Sequence, residues 1–118
     1  MREYRLTDAF DSVKSSFSFL VNEWEFKKTR EDDINYGCYF EYLKGNLIVY
    51  LGYDYKDNCF YFDFILNGQR QLFMEFFKEK DSNFDWRLFQ PNDYQYKESL
   101  MRNVEYLKKY KDDVLKMI

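Results

Sequence analysis

A chain of 118 residues with 27 aromatic side chains, 46% apolar residues and 33% charged residues has the composition of one tightly packed domain, which excludes a disordered or collagen-like polymer. Its formal net charge is only −3, and its longest strictly apolar run, Leu47 to Leu51, falls far short of the roughly 20 residues a membrane-spanning helix needs. The N-terminus, Met1-Arg2-Glu3-Tyr4-Arg5, lacks the apolar centre of a signal peptide, so a cytoplasmic location is expected.

From about Thr7 to Trp24, Phe10, Val13, Phe17, Leu20, Val21 and Trp24 recur at spacings of three and four, the period of one helical face, with Thr7 or Asp8 able to cap the start. Phe26 and Thr29 suggest a short strand, followed by a polar loop at Arg30-Glu31-Asp32-Asp33. From Tyr36 the period changes to two. The runs Tyr36 to Leu43, Leu47 to Tyr55 and Cys59 to Leu66 are separated by Lys44-Gly45-Asn46 and Lys56-Asp57-Asn58, which predicts an antiparallel meander. If Leu43 pairs with Asn46 and Asp54 with Cys59, one face carries Phe40, Tyr42, Leu47, Val49, Leu51, Phe60, Phe62, Phe64 and Leu66. The other carries Tyr39, Glu41, Ile48, Tyr50, Gly52, Asp54, Tyr61, Asp63 and Ile65, with Tyr39, Tyr50 and Asp63 in one row. This register sets Cys38 and Cys59 roughly 14 Å apart, too far for a disulfide.

Asn67-Gly68 is a two-residue hairpin signal that would return the chain as a further strand, whereas Leu72, Phe73, Phe76 and Phe77 form a helical stripe; the helix is the favoured reading of residues 70–80. Phe84, Trp86, Leu88 and Phe89 are expected to plug the side of the core. Asp93 to Ile118 reads as a second long helix, with Asn92 as cap, Gln95 completing a capping box, and Tyr96, Leu100, Val104, Leu107, Val114 and Ile118 on its apolar face. The expected fold is therefore one α+β domain over residues 1–118: an N-terminal amphipathic helix, an antiparallel meander of three to five strands, and a C-terminal helix packed on the sheet.

Chemistry is constrained by what is missing. The chain has no histidine, which removes the commonest general base, the commonest metal ligand and any His-activated nucleophile, and two cysteines alone make no structural zinc site. Glycine-rich phosphate loops are absent. No cofactor, no metal and no catalytic residue is expected. Residues 29–66 hold seven acids, Glu31, Asp32, Asp33, Glu41, Asp54, Asp57 and Asp63, against Arg30, Lys44 and Lys56, a local charge of −4 that disfavours nucleic acid and attracts a basic partner. Twelve tyrosines exceed what a core of this size uses, and tyrosine suits protein interfaces. Tyr39, Tyr50, Tyr53, Asp54, Tyr55, Asp57, Tyr61 and Asp63 are the candidate partner-binding residues. Two arrangements stay open at this point: a bare acidic, aromatic face, or the same tyrosines roofed by a helix as sandwich core.

The run Phe17-Ser18-Phe19-Leu20-Val21-Asn22-Glu23-Trp24-Glu25-Phe26, the segment Ile48-Val49-Tyr50-Leu51-Gly52-Tyr53-Asp54, and Tyr96-Lys97-Glu98-Ser99-Leu100 with Val114-Leu115-Lys116 together resemble, in pattern and layout, small bacterial immunity proteins of polymorphic toxin and contact-dependent growth inhibition systems. That resemblance implies a compact cytosolic inhibitor, not an enzyme, which covers the active site of a cognate toxin such as a basic nuclease. A self-associating structural or regulatory module using the same face, as a monomer or weak homodimer in equilibrium, is the alternative. A small-molecule binder ranks below both.

Overall fold

The computed structural model describes residues 6–91 and 96–118. Helices α1 (Leu6–Ser16) and α2 (Phe19–Asn22) precede five strands, β1 (Lys27–Ile34), β2 (Gly37–Lys44), β3 (Leu47–Asp54), β4 (Cys59–Leu66) and β5 (Gln69–Leu72). Helix α3 (Phe73–Lys80), a 3-10 turn at Trp86–Leu88, and helices α4 (Tyr96–Lys109) and α5 (Lys111–Leu115) complete the chain. The sheet is an antiparallel meander in the order β1-β2-β3-β4-β5, so the α+β plan with helices at both ends holds.

The expected single helix over 7–24 is interrupted. The Ser18 hydroxyl donates to the Ser15 carbonyl at 2.8 Å and the Ser15 hydroxyl to the Ser12 carbonyl at 3.3 Å. Short hydroxyl side chains compete in this way with the helical ladder and bend it. The break turns Phe19 inward and leaves Val21 exposed. Thr7 and Asp8 lie within the first turn of α1 rather than ahead of it. The C-terminal helix also divides, at Tyr110, and its predicted caps Asn92 and Gln95 lie outside the described residues.

Residues 30–33, expected as a loop, form half of β1. Their pairing with β2 explains why: Arg30 stands opposite Glu41, Glu31 opposite Phe40, Asp32 opposite Tyr39 and Asp33 opposite Cys38, with a bulge between Lys28 and Arg30. An edge strand exposed along nearly its whole length needs no alternating apolar residues. Charge and a bulge on such a strand oppose pairing with another chain.

Both faces of the meander are as the two-residue period predicts, but the β2–β3 register is displaced by two residues. Lys44 pairs with Leu47, enclosing Gly45-Asn46. Gly45 adopts φ +59°, and a glycine at the first central position is what a tight II′ connection requires. A shift of two leaves every side chain on its face and changes only its neighbours. Asn67 and Gly68, both at positive φ, connect β4 to β5, so residues 69–80 are strand and then helix. Both readings of this segment were partly right, because its first four residues complete the hairpin before the apolar stripe begins.

The helices among the described residues pack on one side of the sheet. Phe10 contacts Phe40, Phe17 contacts Phe62, and Phe73 stacks on Phe64, with centroids 5.3, 5.3 and 4.5 Å apart. Leu100, Val104 and Leu107 of α4 are buried in the same core. Trp86 and Leu88 face outward, at 58% and 47% exposure, and only Phe84 and Phe89 of the predicted plug pack inward. The 3-10 turn explains the difference: Asp85 accepts from the Arg87 backbone N–H and clasps its guanidinium, fixing a turn that projects its flanks into solvent.

Beyond the end of β5, β4 has an unusual neighbour. The Gln90 side-chain amide accepts from the Phe60 N–H at 2.8 Å and donates to the Phe60 carbonyl at 3.0 Å, supplying the pair of bonds a sixth strand would make. Asn103 donates to the Phe89 carbonyl and Ser99 to the Gln90 carbonyl, so α4 holds this segment in place. Cys38 and Cys59 are free cysteines, the first buried and the second half-buried.

Burial raises the Tyr42 and Tyr96 phenols from the ordinary value of 10 to about 12. The unfolded chain therefore loses these protons first as pH rises, and the stability that the two neutral phenols contribute below pH 10 is lost between pH 10 and 12. Base titration followed by far-UV circular dichroism and tyrosinate absorbance is expected to show unfolding coincident with the late phenol titration. Full ionisation near pH 10 with the fold intact would contradict this burial.

Candidate functional site

The side of the sheet opposite the core carries no helix among the described residues. Strand pairing lays it out in rows. Lys27, Leu43, Ile48, Ile65 and Arg70 form one. Arg30, Glu41, Tyr50, Asp63 and Leu72 form the next. Asp32, Tyr39, Gly52 and Tyr61 follow. Tyr39 is thus opposite Gly52, and Tyr50 stands between Glu41 and Asp63, which corrects the expected Tyr39–Tyr50–Asp63 row. Tyr39 and Tyr50 still meet diagonally, their rings stacked with centroids 6.3 Å apart.

Glycine makes that contact possible. A Cβ on Gly52 would come within 3.1 Å of Tyr39 and 3.3 Å of Tyr50, and one on Gly37 within 2.5 Å of the Tyr39 hydroxyl. The Tyr39 ring therefore lies down across both glycines and forms a low floor. Two arginines extend the stack: the Arg30 guanidinium sits 5.7 Å from the Tyr39 ring and that of Arg70 5.3 Å from the Tyr50 ring. Such contacts are worth about 0.5–1 kcal/mol each at exposed sites.

The arginines also answer the acids. Arg30 pairs with Asp32 at 2.6 Å and with Glu41 at 3.1 Å, and Arg70 pairs with Asp63. Lys27, Arg30 and Arg70 against Asp32, Glu41, Asp54 and Asp63 leave this face at −1. The strongly acidic face expected from residues 29–66 is therefore corrected to a nearly balanced one, because Glu31, Asp33 and Asp57 lie off this face and the four acids that remain stand among three bases.

The candidate residues separate into two groups. Tyr39, Tyr50, Tyr61 and Asp63 share the open face, Tyr61 being 44% exposed. Tyr53 and Tyr55 do not: they turn to the core side, 7% and 4% exposed. Tyr53 stacks on Tyr96 and donates to Asn58, and Tyr55 donates to Asp33 at 2.7 Å. Their odd-numbered neighbour Leu51 already lies on the core face, so counting by twos from it finds their burial. Asp54 is half-buried at the end of β3, where Oδ1 accepts from the Lys56 and Asp57 backbone N–H groups. Asp57 is exposed in that turn.

Asp63 is unlike the other acids. It is 3% exposed, Arg70 is its ion-pair partner through Oδ2, and Oδ1 is buried without a hydrogen-bond partner among the described residues. Burial raises its pKa above the ordinary carboxylate value, against the opposing pull of Arg70. Arg30, Arg70, Leu43 and Leu72 complete the face and were not among the predicted site residues. Reading Asn67-Gly68 as a hairpin places Arg70 diagonally across from Asp63, which is the signal that finds it. Around the face stand apolar side chains that water meets directly: Ile34, Leu43, Tyr61 and Leu72 are all exposed.

At the outer border of β4 a cleft of about 230 Å³ adjoins the face, sharing Tyr61 and Leu72 with it and lined further by Phe60, Phe62, Met74 and Gln90. No three His, Cys, Asp or Glu side chains gather as metal ligands among the described residues. Among those residues no helix is long and apolar enough to cross a membrane. Comparison of the chain with protein-family models, with curated proteins and with solved structures finds no match.

Proposed function

We propose that this protein is a binding protein whose uncovered sheet face docks on another protein, and that its role is to neutralise a cognate bacterial toxin domain by covering that domain's active site. The observation that carries the reading is the face itself: stacked tyrosines and exposed aliphatic residues on a rigid five-stranded sheet, with no helix over them among the described residues. The four eight-residue strands β1 to β4, spaced about 4.8 Å apart with a rise of about 3.3 Å per residue, give this face roughly 500 Å² in projection. That is most of the about 800 Å² that each partner contributes to a standard interface.

The nearly balanced charge argues for a partner of mixed polarity rather than a strongly basic one, so the toxin need not be a nuclease. Tyrosine at the centre and ion pairs around it have the composition of an interface core with its rim. Catalysis has no comparable support, since the acids are held by arginines or by turn backbone.

The test is co-purification with the product of the adjacent upstream gene, followed by calorimetry with Tyr50→Ala and Leu43→Asp variants. A complex weakened at least thirtyfold by either substitution, equivalent to about 2 kcal/mol, is expected. A neighbour product unlike a toxin, together with a protein that elutes alone, overturns the reading. If sedimentation instead shows a concentration-dependent dimer abolished by Tyr50→Ala, the face serves self-association.

A further inference from the structure

We infer that the orphaned carboxylate oxygen of Asp63 is the specificity anchor of the docking face and takes a cationic N–H donor, an arginine or lysine side chain presented by the partner protein. This rests on the docking reading above and adds the chemistry of the contact. A buried carboxylate oxygen with no donor is costly, and native structures keep few of them. Asp63 keeps one in the middle of a row on the uncovered face, although Arg70 already serves Oδ2.

The geometry shows what encloses it. Directly opposite across the two neighbouring strands stand Tyr50 and Leu72, and along its own strand on the same face stand Tyr61 and Ile65. Tyr61 and Leu72 are exposed and Ile65 is half-buried, so the enclosure consists of side chains standing on an uncovered surface. A partner side chain that displaces the exposed Leu72 or Tyr61 would approach Oδ1 from the uncovered side of the sheet. A cation suits the position better than a neutral donor because the face is one positive charge short of balance. The aliphatic stem of an arginine or lysine would lie among Leu72, Ile65 and Tyr61 while its head reached the oxygen, the way such side chains cover apolar surface elsewhere.

The experiment uses the whole protein and two small probes, the n-butylguanidinium ion and the n-butyltrimethylammonium ion, the second having the charge and stem but no N–H. Side-chain carboxyl ¹³C resonances and the Leu72 methyl signals are followed by NMR. The expected result is a saturable shift of the Asp63 carboxyl carbon and of Leu72 with butylguanidinium, at least tenfold weaker with butyltrimethylammonium and in Asp63→Asn. Leu72→Arg, which places a donor beside Asp63 within the chain, is expected to remove the response while retaining the parent fold; it keeps the test decisive if Asp63→Asn unfolds.

Equal shifts with the two ions, an unmoved Asp63 carbon, or an undiminished response in Leu72→Arg would each overturn the inference. An Asp63 satisfied only by an ordered water gives the second of these results. Because the probes are small ions, failure here leaves the toxin-binding proposal standing on its apolar rows, and failure of co-purification leaves this measurement unaffected.

Discussion

Phe77→Ala is expected to cost about 4 kcal/mol of stability, the middle of the range for removing a buried phenyl ring. Phe77 is fully enclosed, and its ring meets Phe73, Phe84, Phe89, Tyr106 and Tyr110 at centroid distances of 5.7, 6.1, 5.7, 5.3 and 6.5 Å. It therefore joins α3, the segment before Pro91 and α4 in one aromatic cluster. Flat rings interlocked at several tilts relax poorly around a hole, so the cavity term adds to the lost transfer energy. Domains of this kind have about 5–15 kcal/mol in all, and with a urea slope of about 1.5 kcal/mol per molar the midpoint should fall by about 2.7 M. Trp86→Ala is the control. This larger ring is mostly in solvent, and its loss should move stability by no more than about 0.5 kcal/mol. Comparable losses from the two substitutions would mean that α3 is not seated as described.

Arg70→Ala is expected to destabilise the protein by about 2 kcal/mol at pH 7 and to regain most of that loss in acid. The substitution leaves a buried carboxylate without its ion-pair partner. Removing one member of a fully buried pair costs about 3–5 kcal/mol, and the half-exposed Arg70 guanidinium, which water screens, justifies the lower figure. The sign of the pH effect follows from burial. Asp63 already has a raised pKa in the folded protein, and loss of Arg70 raises it further. The native state then holds its proton at pH values where the unfolded chain has released it, so stability relative to the parent rises as pH falls from 7 towards 4. Reading the difference against the parent removes the contributions of Glu31, Asp81 and Asp85, whose depressed pKa values act in the opposite direction. Urea denaturation at pH 7.0 and 4.5 measures it. A pH-independent loss, or no recovery in the Arg70→Ala/Asp63→Leu double variant, would place the cost in packing rather than in the stranded charge.

The sidedness of the central strands was legible because each interior strand has one wet and one dry face, and Phe40, Val49, Leu51, Phe62 and Phe64 alternate accordingly. Register was less so. Nothing in the apolar pattern distinguishes two alignments that differ by two residues, and the choice rests on where glycine takes positive φ, Gly45 here. Strand β1 escaped because an edge strand wet on both faces has no alternation to read. The helix break at Ser18 was hidden by an apolar period that continues through it. The charge of the candidate site is hidden for a related reason: a count along the chain cannot tell that Glu31 and Asp33 face away from the site, or that Arg70, outside the acidic stretch, returns to pair with Asp63. Tyr53 and Tyr55 enter the candidate list on composition, as tyrosines suited to an interface, whereas their parity with Leu51 sends them inward.

Gln90 has a consequence for biosynthesis. Its amide completes the outer border of β4 at Phe60, thirty residues earlier in the chain. A ribosome that has delivered the whole meander has therefore not yet delivered the group that seals it, nor α4, which steadies that group. Until Gln90 and α4 emerge, the Phe60 peptide groups remain available to any extended strand nearby. Translation that stalls or is truncated in the eighties should yield insoluble product, whereas chains extended through the C-terminal helices should not.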